Sequence, residues 1–409
     1  MTLGPGYGVA VLVLVLANAA LVARLAAFRF RFPTLREWEG PEPAVWPKVS
    51  VIVPCRNEAA GVEAAMSSLL AQDYPNLEIV AVDDRSEDAT GAILDALAAR
   101  DPRLTVLHLD TLPPRWLGKN HAMHQGAGRA SGAWLLFTDG DVVFEKNALR
   151  RSVAFAEAHG LGHFVALPRF VADGFLERAF VSTFAATLSI KLDPAALCVP
   201  RTFAYVGVGA FGLVRREAYA KIGGHEALAF EVADDLKLGL LLRRSGIAQG
   251  CLAAGDLVRV RWQNGLVASL RGLEKNAFAG FEWNTALAFL GIAGIILAAV
   301  LPWLPLFVSA PSWAKPLAFI AAAFPIVLVG GAARRLSGGS GLEGLMAPFA
   351  ALALAGVIAW STTLALLRRG IIWRGTFYPL TELRSRCVRE WRISTKDAVG
   401  WVPPAKPRR

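Results

Sequence analysis

Trp134-Leu135-Leu136-Phe137-Thr138-Asp139-Gly140-Asp141 sets an apolar run directly against two carboxylates that flank one glycine. A short apolar run bounded by a polar turn reads as a buried strand. Asp139 and Asp141 are hard oxygen donors spaced to share a divalent cation such as Mg²⁺ or Mn²⁺, which in turn neutralises a diphosphate. An ordinary turn at a strand end has the same letters. The surroundings must decide.

Upstream, the pattern alternates. Val49–Val53 reads as a strand, residues 59–72 as a helix and Leu77–Val82 as a second strand. Residues 86–100 then read as a helix, Leu104–Leu109 as a strand, Lys119–Ala130 as a helix and Ala133–Thr138 as a fourth strand. Strands alternating with helices predict an α/β fold, a mixed, mainly parallel sheet with helices on both faces. Ligands of such sheets lie beyond the carboxyl ends of the strands. The polar clusters at 54–58, 83–86 and 139–141 all fall there.

Those clusters supply the candidate residues. Pro54, Arg56 and Glu58 follow the first strand, and Asp83 and Asp84 the second. A carboxylate there can accept hydrogen bonds from a ribose hydroxyl or a base N–H. Ser86 reads as the N-cap of the next helix. Lys119 stands at a helix start, where free N–H groups also attract anions. Asp234 and Asp235 open a later helix, and an acid there can act as a general base on a hydroxyl. Helix capping explains one of the two. Gly207, Gly209 and Gly212 give a loop that permits close backbone approach. His121 and His124, without acidic or thiol partners at ligand spacing, read as packing residues rather than zinc ligands.

Composition places the chain at a membrane. It has 409 residues, 54% of them hydrophobic, and a formal net charge of +10. Its mean hydropathy of +0.42 exceeds that of an ordinary soluble enzyme. Leu3–Ala23 is uncharged and followed by Arg24, Arg29 and Arg31, which suits an anchor helix better than a cleaved signal. Residues 285–308, 316–333 and 345–367 are three further charge-free stretches; the middle one is short and contains Pro325, so it reads as re-entrant or tilted. From Arg368 onward 11 Lys/Arg oppose 3 Asp/Glu. Such a tail suits an anionic membrane surface rather than nucleic acid. Three full spans after an inward-facing catalytic part would put that tail outside, against the positive-inside tendency. Cys55, Cys198, Cys251 and Cys387 are scattered without a CxxC pair, which fits a reduced cytosolic face.

Residues 48–265 together resemble an inverting, family 2-type glycosyltransferase of GT-A fold. The resemblance is carried by Val49-Ser-Val-Ile-Val-Pro-Cys-Arg-Asn-Glu58, Asp83-Asp84, Trp116–Lys119, Asp139-Gly-Asp141 and Asp234-Asp235, in that order. It implies Asp139 and Asp141 as metal ligands for Mg²⁺ or Mn²⁺, and Asp235, with Asp234, as the catalytic acids. It implies donor contacts from Pro54, Arg56, Glu58, Asp83, Asp84, Lys119, Asp139, Arg261 and Trp262. The layout is similar to membrane-bound members that glycosylate carotenoids, hopanoids or other lipid alcohols, and Trp373-Arg374-Gly375 with Tyr378 is similar to a tail in that group. Val258 stands where processive polysaccharide synthases have the Gln of Gln-x-x-Arg-Trp. The implied partners are a nucleotide-diphosphate sugar (a UDP-sugar before a GDP-sugar), a lipid acceptor and the membrane, with no nucleic acid. The expected layout is an anchor at 1–30, a catalytic domain at 48–284, two to three membrane helices at 285–367 and a basic interfacial tail at 368–409. The expected place is the inner (plasma) membrane, with the catalytic domain cytoplasmic. A processive synthase and a membrane sugar-nucleotide-binding protein without turnover are the alternatives.

Overall fold

The computed structural model describes residues 3–31, 34–193, 196–197, 202 and 204–390, except the side chains of residues 22 and 24–31. Cys198, the arginines at 24, 29 and 31 as side chains, and residues 391–409 of the basic tail lie outside that description. The chain divides into two compact units. One comprises Arg31–Arg169, Leu192–Arg261 and Arg386–Arg409, and the other Met1–Phe30, Phe170–Lys191 and Trp262–Ser385. Residues 170–191 and 262–284, grouped with the sheet in the 48–284 expectation, belong to the second unit.

The first unit holds an eight-stranded sheet. Its strands are β1 (Val49–Cys55), β2 (Leu77–Asp84), β3 (Leu104–Leu109), β4 (Trp134–Phe137), β5 (Val142–Phe144), β6 (His163–Phe170), β7 (Gly212–Arg215) and β8 (Gln249–Val260). They run in the order β3-β2-β1-β4-β7-β6-β8-β5. The first four are parallel, with Val49 opposite both Leu77 and Trp134. From β4 onward the sheet turns antiparallel, Phe137 facing Gly212 on β7. All seven residues of β1 are buried, the signature of a strand covered on both faces. Ile52, Val82, Leu135 and Phe137 pack there against Ala122, Met123 and Ala127 of the helix Gly118–Arg129. Full burial of one such side chain contributes about 1.5–3 kcal/mol.

β1 and β2 each run two residues beyond the expected ends, so Asp83 and Asp84 are ladder residues opposite His108 and Leu109. The helices after them start later than the sequence suggests, at Val62 and Thr90. Side chains stitch the two intervening loops together instead. Asn57 N–H donates to Ser86 Oγ at 3.1 Å, and Glu87 N–H to Asn57 Oδ1 at 2.8 Å. Glu58 N–H donates to Thr90 Oγ1 at 2.8 Å. Ser86 is therefore not the cap. Ala89 stands at the N-cap position, and Asp88 beside it accepts the Thr90 N–H at 3.0 Å.

The second unit is helical. Pro5–Arg31 is a helix of 27 residues, and Phe175–Leu192 one of 18. Thr285–Leu306, Ala314–Ser337 and Leu342–Leu367 are long and apolar enough to cross a membrane, with mean hydropathies of 2.4, 2.1 and 1.9. The middle one is longer than its charge-free core, because the helix continues through Arg334 and Arg335 in a π turn. Phe289, Leu290, Phe319, Val327, Phe349 and Trp360 are exposed on these helices, which buried helices of a water-soluble core would not show. Asn284 caps the first of the three by accepting from Ala286 and Leu287 N–H.

Candidate active site

Three elements of the sheet unit bring their ends together around Lys119. It is the second residue of the helix Gly118–Arg129, entered from Leu117 without a side-chain cap. Its ammonium lies 2.8 Å from Asp139 Oδ1, just past the end of β4, and 3.5 Å from Asp234 Oδ1. Asp234 and Asp235 open the helix Asp234–Arg244, and Asp235 Oδ1 accepts the Leu236 N–H at 2.8 Å. The site thus joins residues more than a hundred positions apart.

Two glycines make the approach possible. A Cβ on Gly209 would lie 2.8 Å from Asp139 Oδ2 and 3.4 Å from Lys119 Nζ. One on Gly207 would lie 1.9 Å from the Asp235 carbonyl oxygen. The close backbone approach that the glycine run permits is made here against the two acids Asp139 and Asp235.

The electrostatics are strained in the negative direction. Burial pushes the Asp141 carboxyl up to about 7, with Asp139 and Glu58 adding their charges. Burial also raises Asp234; Lys119 opposes that rise, and Asp235 and Asp139 reinforce it. For Lys119 burial alone would favour the neutral amine, but Asp139, Asp234 and Asp235 overturn it and the pKa is raised. Among the described residues no three His, Cys, Asp or Glu side chains form a complete metal-binding group. Asp139 and Asp141 are hard oxygen donors amid crowded negative charge, a chemistry that suits a hard divalent cation. The donor set therefore fits Mg²⁺ or Mn²⁺ as a shared ion.

A second cluster lies at the ends of β1 and β2. Asp84 is buried and accepts from Arg85 Nε at 2.8 Å and Nη2 at 3.1 Å, with Arg56 Nη1 at 3.9 Å. Asp83 Oδ1 accepts the Ser86 N–H at 3.3 Å, and its Oδ2 lies 3.0 Å from His108 Nδ1. His108 and Arg85 were not singled out from the sequence. His108 sits directly opposite Asp83 in the β2/β3 register, which the sequence pattern does not carry. Pro54 lies within β1, opposite Val82, rather than after the strand. Arg261 ends the sheet unit just past β8, while Trp262 begins a segment of the helical unit and stacks on Phe184 at 4.7 Å. The His121 and His124 rings lie against Trp116, at 5.5 and 5.0 Å between centroids.

Residues 50–223 match the family model described as Glycosyl transferase family 2. Residues 50–223 are thus similar to a glycosyl transferase family 2 domain. That match spans β1 to β7 and the residues Asp83, Asp84, Lys119, Asp139 and Asp141, and stops short of Asp234. The succinoglycan biosynthesis protein ExoO of Rhizobium meliloti is 37% identical over 114 residues, 28% of this chain and 31% of that protein. The 4,4'-diaponeurosporenoate glycosyltransferase of Staphylococcus aureus is 24% identical over 260 residues, 63% of this chain and 65% of that protein. The chain thus spans less than two thirds of the length of these relatives. A mannosyltransferase from Pyrobaculum calidifontis, solved with GDP-Man and Mn²⁺, superposes with a TM-score of 0.47 at 19% identity, covering 88% of this chain and 92% of that one.

Proposed function

We propose that this chain is a membrane-bound inverting glycosyltransferase that moves a sugar from a nucleotide-diphosphate donor to the hydroxyl of a lipid acceptor. The observation that carries this is Lys119 facing both the Asp139 turn and the Asp234-Asp235 helix start. It supports a site in which one end holds the diphosphate and the other accepts a proton. The match of residues 50–223 to the family supports the same reading.

In this scheme Asp83 and Asp84, held by His108, Arg56 and Arg85, accept hydrogen bonds from the nucleoside. Asp139 and Asp141 hold a divalent cation, Mg²⁺ or Mn²⁺, whose chemistry is to offset the charge of the departing diphosphate. Lys119 adds a fixed positive charge beside it. Asp235 takes the proton from the acceptor hydroxyl. The hydroxyl oxygen bonds to the anomeric carbon as the bond to the diphosphate oxygen breaks, which inverts that centre. The nucleoside diphosphate leaves with the bonding electrons.

Three apolar helices long enough to span a bilayer, with outward-facing Phe and Leu side chains, support a membrane setting and a lipid acceptor. The relative named as a diaponeurosporenoate glycosyltransferase supports a polyisoprenoid acceptor. The inner membrane with the acids facing the cytosol, and a UDP-sugar ahead of a GDP-sugar, complete the reading. Val258, buried in β8 where a processive synthase has Gln, weighs against polymer synthesis.

The test supplies membranes containing the protein with radiolabelled UDP- and GDP-sugars and lipid extract, with and without EDTA. Organic-soluble label that EDTA abolishes is the expected result. Label in high polymer sinks the lipid acceptor, and EDTA-resistant transfer sinks the cation.

A further inference from the structure

We infer that Arg386–Glu390 is a strap that positions the acid pair for the reaction, with Glu390 as its positioning residue. The inference rests on the reading of Asp235 as the base. Residues up to Ser385 belong to the helical unit, but from Arg386 the chain is part of the sheet unit. There it grips the segment carrying Asp234 and Asp235 on both sides.

Ahead of the pair, the Arg386 guanidinium lies 5.3 Å over the Phe230 ring, and Val388 N–H donates to the Glu231 carboxylate. The Glu231 carbonyl in turn accepts from Asn120 Nδ2 at 2.8 Å, and Asn120 is the neighbour of Lys119. Behind the pair, Glu390 Oε1 lies 3.6 Å from Lys237 Nζ, and Arg244 donates to the Arg389 carbonyl. The same Glu390 oxygen accepts the Tyr205 hydroxyl at 2.6 Å. Tyr205 precedes Gly207, the residue that lies against the Asp235 backbone.

One carboxylate therefore holds both the glycine loop and the acid helix. Lys237 and Glu231 are only 3% and 4% exposed, so the strap meets buried charges. A charge-assisted hydrogen bond in such surroundings fixes geometry more firmly than apolar contact does. The consequence is a tie between the end of the chain and the placement of Asp235. Loosening it costs turnover rather than donor affinity.

The experiment uses the full-length chain in detergent micelles, with UDP-glucose and GDP-mannose as donors and lipid extract as acceptor. The variants are Glu390→Gln, Glu390→Asp, Tyr205→Phe and the Glu390→Gln/Tyr205→Phe pair, with Asp235→Asn alongside. Glu390→Gln is expected to lower kcat by about tenfold with donor KM changed by less than about twofold. Glu390→Asp recovers part of that loss, and the double variant is no worse than the sum of the singles. Hydrogen exchange speeds up in 205–211 and 231–238 while β1 is unchanged. Wild-type turnover in Glu390→Gln, or exchange that rises equally in β1, overturns the strap as a positioning device. Full transfer by Asp235→Asn removes the base reading instead, and the exchange pattern still decides whether the strap holds the acid segment.

Discussion

Two acidic clusters sit at the ends of the parallel strands, and they are built on opposite principles. At β2, Asp84 is paired with Arg85 and Arg56, and Asp83 with His108. At β4, Asp139 and Asp234 share Lys119, and Asp141 is crowded by Asp139 and Glu58. The first cluster is charge-matched, with its oxygens oriented by fixed donors. The second gathers more acid than nearby base, so Asp141 and Asp234 rise and a cationic ligand is favoured. In the proposed function the first, directional cluster meets the nucleoside. The second takes the diphosphate with its cation and the proton transfer.

This contrast breaks most easily at Asp235. In the proposed scheme Asp235→Asn lowers kcat by about 10²–10⁴-fold, the range for losing a general base, while donor binding persists. Turnover measured beside equilibrium binding of labelled donor checks it. Near-normal turnover would move the base elsewhere and leave the second cluster as a cation site alone.

Lys119→Met comes next. Removing the ammonium leaves the buried Asp234 and the half-exposed Asp139 without their shared cation; breaking a fully buried pair costs about 3–5 kcal/mol, and the exposure of Asp139 brings the loss here below that. The expected outcome is a protein that unfolds at clearly lower denaturant and transfers sugar poorly even at saturating donor. Unchanged stability in a denaturant titration would show that the second cluster is not short of positive charge.

His108→Asn probes the first cluster and should act on donor KM alone, raising it by about three- to tenfold, the net worth of one ordinary hydrogen bond. The His108 pKa is raised by Asp95 and then Asp83. The wild-type imidazolium is therefore present below its raised pKa and lost above it, so donor KM climbs as pH is taken from 6 toward 9. The Asn variant has no such climb. A fall in kcat with KM unchanged would erase the distinction between the two clusters.

How legible this was differs between the clusters. β1 to β4 announce themselves as short apolar runs, and Asp83, Asp84, Asp139 and Asp141 stand where those runs stop. The charge pairing was hidden, because Arg85 is a loop residue with φ of 57° and His108 reaches Asp83 only across a strand register. Local pattern carries no register between strands. Ser86 was misassigned as a cap for a similar reason: its hydroxyl serves Asn57 in another loop. The Asp234-Asp235 helix start was visible, but Gly207 and Gly209 gained a purpose only when the acids were placed against them. The strap was invisible, since nothing in the letters 386–390 says which unit they join.

The smallest effect on activity is expected at a third carboxylate, which tests whether clusters off the strands' carboxyl ends matter to function at all. Glu78 lies near the start of β2 and accepts from Ser131 Oγ at 2.7 Å, from Ser131 N–H, from Ser50 and from Lys48. Burial alone would raise it, but Lys48, Ser50 and Ser131 hold it down at about 2. The unfolded value is about 4.3. A folded pKa below the unfolded one gives stability that is present above about pH 4.3 and lost as pH falls toward 2. Glu78→Gln should therefore leave kcat and donor KM unchanged at neutral pH while lowering stability there. The gap to wild type then closes as the solution is acidified. Denaturant titrations at pH 7 and pH 3 measure it. A gap that persists at low pH would mean that Glu78 contributes by shape and neutral hydrogen bonding. A change in donor KM would mean that this end of β2 reaches the nucleoside cluster through the strand, and the two-cluster division would then have to be redrawn along β2.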